Sequence, residues 1–490
     1  MSTISPTLSS VLTSQAMRST STAAAAKVSA PDAAESVAST PSTVLSLDTM
    51  TAVDVIYTKP APYTPRQAWA SQTRDAVSSL MATNSARSST EGLAGRWRGL
   101  GSALINQFAT TGANYRQALV NYQAADTPGV TTQSLDAAAL DGFSGKAAKA
   151  SFKVQTRSGQ TVEFIIAVDN APGKNGLQVE IKSSGALSSS EKTALAKLAQ
   201  GFDKALEGLG QADKPQMDLA NLLDFDSSVL KSVDLSVKNP QASQPLSTFN
   251  LHLGPERKTL DFKGLLGETA LAVDAQSPLG AVDSRQRQSA IDGLLRQFDA
   301  AAQRSHADSQ LVGMFKDAFT QLHSISAAGS ASAAVTPQRQ EAASRIQPLL
   351  SGLADFEASF SGDFERTGRY GGVIEKGHVD YRLSQQTEVK QTAGAEDLRA
   401  EQTQEETLQG QYMQSRGGVM LDTASGNYDV FTVDDSTRTS TKVETVKGKL
   451  SEATRQTEQQ LLQTMKKMVN FRAEEERSTP RNKSLVENLL

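Results

Sequence analysis

The clearest alternation of apolar and polar positions begins at Lys149. Phe152 and Val154 alternate with polar residues, 157–160 reads as a turn, and Val162, Phe164, Ile166 and Val168 alternate again. Successive strand side chains point to opposite faces, so this pattern predicts a hairpin with one buried face. The Pro/Gly/Asn-rich run 170–176 is a second turn, and Leu177, Val179 and Ile181 predict a third strand of an antiparallel meander. A helix follows. Ser188 and Glu191 have capping-box spacing with Leu187 at the staple position, and Leu195, Leu198, Phe202, Leu206 and Leu209 form one stripe that Gly208 and Gly210 stop.

Four short alternating runs come next: Val233 to Val237, Phe249 to Leu253, Leu260 to Phe262 and Leu271 to Val273. They are too closely spaced for crossover helices, which predicts antiparallel pairing. His252, out of phase with Leu251 and Leu253, is expected to face solvent. Two helical stripes close this unit, Ile291, Leu294, Leu295 and Phe298, then Leu311, Met314, Phe315, Phe319 and Leu322. Arg285, Arg287, Arg296 and Arg304 read as a solvated face of the same region.

Upstream, Thr64 and Pro65 look like a helix start, followed at helical spacing by Trp69, Thr73, Ala76, Val77 and Leu80. A second helical pattern, Leu93, Trp97, Leu100, Leu104 and Phe108, continues loosely through Tyr115, Leu119 and Tyr122. Both tryptophans would anchor these helices. Trp97 with its neighbours Arg96 and Arg98 is also a candidate partner contact.

Downstream, a helical pattern runs from Pro337 through Ile346, Leu349, Leu350, Leu353 and Phe356, with a kink or a fresh start expected at Pro348. A long strand is predicted from Gly377 through Val389, and strands again at 419–421 and 428–433. The Gln- and Glu-rich stretch Ala395 to Gln414 favours helix. Thr437 to Thr445 alternates strictly but is polar on both faces, which predicts an exposed strand. A long final helix is expected from Glu452 to Glu475, capped by Ser451, with Leu461, Met465 and Met468 in a narrow stripe that would pack on a sheet or pair with a second copy.

These elements predict an α+β fold of two units with mainly antiparallel sheets and packing helices. The units span 145–323 and 337–477, joined by a linker at 324–336. A helical segment at 61–135 precedes them, and a loose tail at 478–490 ends the chain. Residues 1–60 are expected to be a disordered Ser/Thr/Ala-rich tail: of the first 50 residues 20 are Ser or Thr and 9 are Ala, too little apolar matter to offset the ordering entropy. This leader resembles in composition those of bacterial proteins exported without a Sec signal.

Composition narrows the chemistry. The 490 residues contain no Cys and four His, which excludes disulfide frameworks, thiolate metal sites and cysteine nucleophiles. A formal net charge of −4 offers no basic domain for nucleic acid. No run reaches the roughly 18 apolar residues of a membrane span, and no Sec-type leader opens the sequence. The expected location is therefore the cytoplasm or outside the cell by a signal-less route. GxSxG, the P-loop and a strand-linked GxGxxG are absent. Ser189–Lys192 and Ser228–Lys231 fit SxxK without its companion motifs, and Gly368 to Gly372 lacks the context of a phosphate loop. No catalytic, cofactor or metal residue is assigned. The sequence points to a non-enzymatic, bacterial-type interaction protein with a protein partner or self-association, its candidate contacts being Arg96, Trp97, Arg98, Leu461, Met465 and Met468. The alternatives are a cytoplasmic scaffold dimerising through the last helix, and an enzyme whose Asp, Glu, Ser and His come together from distant segments.

Overall fold

The computed structural model describes residues 63–490 except 73, 88–90, 126–130, 142–146, 170–173, 212–213, 241–245, 281–282 and 325–335. The expected tail at 1–60 and nearly all of the linker at 324–336 lie outside the described residues.

The fold is α+β. Fifteen antiparallel strands form one sheet in the order β1-β2-β5-β4-β3 and then β6 to β15 in sequence. The first part comprises β1 (Tyr63–Trp69), α1 (Ala76–Ser85), α2 (Gly92–Trp97), α3 (Leu100–Thr111), β2 (Tyr115–Ala125) and α4 (Thr132–Asp141). The meander follows as β3 (Ala148–Thr156), β4 (Thr161–Asp169) and β5 (Lys174–Ser183), with α5 (Ser189–Lys197), α6 (Ala199–Leu209) and the single turn α7 (Ala220–Leu223) behind it. Then come β6 (Leu230–Lys238), β7 (Thr248–Leu253), β8 (Arg257–Gly264), β9 (Gly267–Asp274), α8 (Ser284–Ser305), α9 (Ser309–Ser324) and α10 (Pro337–Ile346). The last third is all strand: β10 (Phe356–Thr367), β11 (Val373–Gln391), β12 (Leu398–Gln414), β13 (Tyr428–Val446), β14 (Lys449–Val469) and β15 (Arg472–Asn488).

The inward face of the sheet is apolar in the phase the alternation requires. Phe152, Phe164, Ile166, Val179, Leu235, Leu251, Leu271, Phe360 and Tyr381 share one core with the apolar stripes of α3, α6, α8 and α9. Ser188 caps α5 in a full capping box with Glu191. A smaller cluster packs Ala342, Ala343 and Ile346 of α10 on Leu398, Ala400, Val443 and Ala453. At the first edge the chain also covers the other face. Leu119 belongs to the core, while Tyr122, three residues on, donates its hydroxyl to Asp136 of α4 at 2.6 Å.

Several expectations are corrected. The two anticipated sheets are one, because β9 pairs with β10 from Glu268↔Ser361 to Val273↔Phe356. Residues around Thr64 and Trp69 are strand, and Tyr115 to Tyr122 pairs with β5 rather than prolonging a helix. Residues 419–421 lie in a connection, where Gly417 and Gly418 adopt φ near +70°. Ala395 to Gln414 is mostly β12, whose buried Leu398, Ala400, Leu408, Gly410 and Tyr412 all have even numbers and so share one face. The expected last helix is β14, the turn at 470–471 and the first residues of β15, so no helix is available there for pairing with a second copy; the expected tail is β15. The threonine strand is half core: Thr441 and Thr445 are buried under α10. No described helix is long and apolar enough to cross a membrane.

Candidate functional site

The last turn of α8 gathers a group of buried and half-buried polar side chains from α8 and β11 to β14. The stripe Ile291, Leu294, Phe298, Ala301 and Ser305 holds α8 on the sheet. At its end Gly410 of β12 lets the helix come close, since a Cβ there would lie 3.2 Å from the Ser305 Cβ. Arg304 and His306 flank this point, where the C-terminal end of the helix dipole favours positive charge. His306 caps the helix with φ +61°, a left-handed conformation that is strained for a non-glycine residue.

On one side, Arg304 Nη2 lies 2.9 Å from Asp435 Oδ2, and Gln459 donates to Asp435 Oδ1 at 3.2 Å. Arg304 therefore turns inward, correcting the solvated-face reading. Glu406 on the neighbouring strand accepts from Gln297. Register places both carboxylates on the inner face, Glu406 opposite Thr437 and Asp435 opposite Leu408. Burial raises the Glu406 carboxyl above its ordinary value, against the lowering effect of Gln297, Tyr381 and Arg304. Burial also raises the Tyr381 hydroxyl.

On the other side, His306 Nδ1 is 2.7 Å from the buried Glu375, which also accepts from Gln414 at 3.1 Å and faces Arg366 at 3.8 Å. The imidazole stacks on Tyr412 at 4.3 Å, and Tyr412 stacks in turn on Phe431 at 4.8 Å. Chemically this strip compensates a helix end. Every one of its carboxylates already serves a guanidinium, amide or imidazole of the chain.

A second grouping lies on the outer face. Ser361 Oγ is 3.3 Å from His378 Nε2, and His378 Nδ1 is 2.6 Å from Asp363 Oδ1. That is the order of contacts of a nucleophile, a base and an orienting carboxylate. Three features oppose catalysis. Asp380 Oδ2, at 3.2 Å, competes for Nε2, and a proton shared there leaves no lone pair for the serine. The Asp363 side chain is 85% exposed, so water screens the pair. The register Asp363↔His378 and Ser361↔Asp380 is that of a cross-strand surface row. His252, exposed as expected, makes a similar row with Asp234 at 2.5 Å.

The candidate partner contacts fall in different places. Trp97 is wholly buried, at the end of α2. Arg96 is buried too and donates to the Ser85 carbonyl at 3.1 Å and to Asn175; burial lowers its pKa to about 10. Arg98 is half-exposed beside Glu91 at 3.3 Å and Glu207 at 3.9 Å. Trp69, the other tryptophan, lies on β1 and donates from Nε1 to Gln67 at 3.1 Å. Leu461 and Met465 share the half-buried inner face of β14, and Met468, an odd number of residues away, lies on the opposite phase. Sequence reasoning missed both polar groupings because their members are brought together only by strand register. The parity of Ser361, Asp363, His378 and Asp380 was visible, but nothing in the sequence set the pairing offset.

No protein-family model, no curated protein and no solved structure matches the chain.

Proposed function

We propose that the protein acts by binding rather than by bond-making, as an interaction protein that uses the bare side of its long C-terminal strands. One observation carries this reading. Strands β11 to β14 run 17 to 21 residues, their inner phase meets α8, α9 and α10, and their outer phase is mainly polar side chains, exposed or half-exposed, in cross-strand rows. One row joins Ser384, Glu405, Arg438 and Glu458, with Arg438 2.9 Å from Glu405; the next joins Arg382, Thr407, Ser436 and Gln460. Such rows hold side chains in a fixed array at the strand spacing of about 4.8 Å, which lowers the ordering cost of binding. The signal-less export suggested by the N-terminal composition would put this array outside the cell.

The test is chemical cross-linking of the full chain in native extract, comparing wild type with Arg382→Glu/Thr407→Glu/Gln409→Glu. The expected result is a discrete cross-linked species that the triple variant loses while keeping its melting temperature. Retention of the same species by the variant defeats the proposal.

A second reading rests on the Ser361–His378–Asp363 contacts and makes the protein a serine hydrolase. A fluorophosphonate probe decides it: covalent labelling at Ser361, abolished by His378→Gln, supports that reading, and an unlabelled serine removes it.

A further inference from the structure

We propose that the turn-bearing end of the long strands is a lipid-contacting tip that sets Tyr370, Met420 and Phe471 into the interfacial layer of an anionic bilayer. This goes beyond the binding reading above, adding a second surface at the ends of the same strands.

Antiparallel order puts three connections at one end of the sheet: 368–372 after β10, 415–427 after β12 and 470–471 after β14. They are tied side by side. The Leu421 N–H donates to the Val373 carbonyl at 2.7 Å, Ser415 N–H to Ile374 at 2.8 Å, and Phe471 N–H to Gly426 at 3.2 Å. Large apolar side chains on short connections normally fold back onto a core. Here Tyr370 is 93% exposed, Met420 68%, Val419 64% and Phe471 62%. The backbone holds them there. Gly371 and Gly426 adopt φ of +80° and +68°, and a Cβ on Gly426 would lie 2.8 Å from the Phe471 ring, so the glycine seats that ring against the neighbouring turn.

Charge favours a particular surface. Arg369 and Arg472 adjoin Tyr370 and Phe471 in sequence, are exposed, and have no ion pair among the described residues. Of the other basic groups near this end, Arg416 pairs with Asp429 at 2.8 Å, Lys466 with Glu476 at 3.4 Å and Lys467 with Glu474 at 3.6 Å, while Lys376 of β11 has no ion pair among the described residues. Asp422 accepts from the N–H groups of Ala424 and Ser425 and keeps its charge, so the segments 368–372, 415–427 and 470–472 carry three arginines against one aspartate. Two unpaired guanidiniums beside aromatic rings match phosphate headgroups over an apolar layer, the setting in which an aromatic ring, a thioether and an arginine are each satisfied. Three separate protrusions on a rigid edge suit a deformable surface better than a preformed groove.

Vesicle sedimentation of the full chain tests this, with phosphatidylcholine alone and with a quarter phosphatidylglycerol. Wild type is expected to bind the anionic vesicles. Tyr370→Ser/Met420→Ser/Phe471→Ser should weaken partitioning about tenfold or more, and Arg369→Gln/Arg472→Gln should remove the anionic preference. All five side chains are exposed, and circular dichroism with melting confirms that the variants fold. No binding by wild type, or binding unchanged in the apolar triple variant, overturns the proposal. So does self-association that the triple variant abolishes without any vesicle binding, which assigns the tip to a second copy. If vesicles fail while the outer-face species persists in extract, only the lipid assignment falls.

Discussion

His323 lies at the centre of the aromatic core between Phe319 and Phe356, with ring centroids 4.1 Å and 5.1 Å away. Its Nδ1 meets the Phe319 carbonyl at 2.9 Å, and its Nε2 is buried without a hydrogen bond. Burial lowers its pKa from 6.5 to about 4. The unfolded chain therefore takes up this proton below pH 6.5 while the folded chain resists until about pH 4, so stability falls as pH drops through that window. Denaturant melts should show this slope in wild type and a flatter one in His323→Phe; equal slopes would place the acid sensitivity elsewhere. Glu191 works in the same direction at lower pH. The Ser158 hydroxyl first, then the Ser188 N–H, hold it at about 2 against an ordinary 4.5, giving stability that is complete above pH 4.5 and lost towards pH 2. Ser188→Ala should cost about 1 kcal/mol at pH 7, read by urea melts.

At the scale of elements, β14 offers the sharpest prediction. Thr439 and Thr457 face each other across β13 and β14, with hydroxyl oxygens 3.4 Å apart. In this cysteine-free chain, Thr439→Cys/Thr457→Cys should close a disulfide under mild oxidation, seen as a gel shift reversed by reductant. A helix over 452–475 would turn Thr457 away from β13 and leave the thiols free. The reason this segment reads as helix is arithmetical. Thr457, Leu461 and Met465 are spaced by four, an interval that satisfies both the helical repeat of 3.6 and the strand repeat of two. The Glu, Gln, Lys and Met between them are good helix formers, and pairing on both sides overrides that preference. Where intervals of two recur without ambiguity, as in Phe164, Ile166 and Val168, strand and buried face were both legible. The Ser188 cap was legible because it is local. The strip beneath Arg304 and the Ser361–His378 row were not, since register between distant strands decides them. The continuity of the sheet likewise hangs on one pairing, β9 with β10, across a gap holding three helices.

Among the described residues, a sheet of fifteen strands leaves two edges, and each is blunted. β1 has 7 residues and includes Pro65 and Arg66. β15 carries eight charged side chains among 17 residues, with Pro480 at its middle. Edge charge and proline discourage pairing with another sheet. A chain ending at Asn470 would bare β14, with Leu461, Leu462 and Met465 on it. It should associate with rising concentration in light scattering, while the full chain stays constant; a monodisperse truncated chain would show that β15 does not serve as the protective edge. Helices α8 to α10 pack on the inner face of the long strands, and the outer face of β11 to β14 is the surface proposed above for a partner. Hydrogen exchange of the full chain, with and without the extract fraction that cross-links to it, tests this most directly. Protection is predicted to appear within 373–488. Protection confined to 63–349 would contradict binding through the long strands.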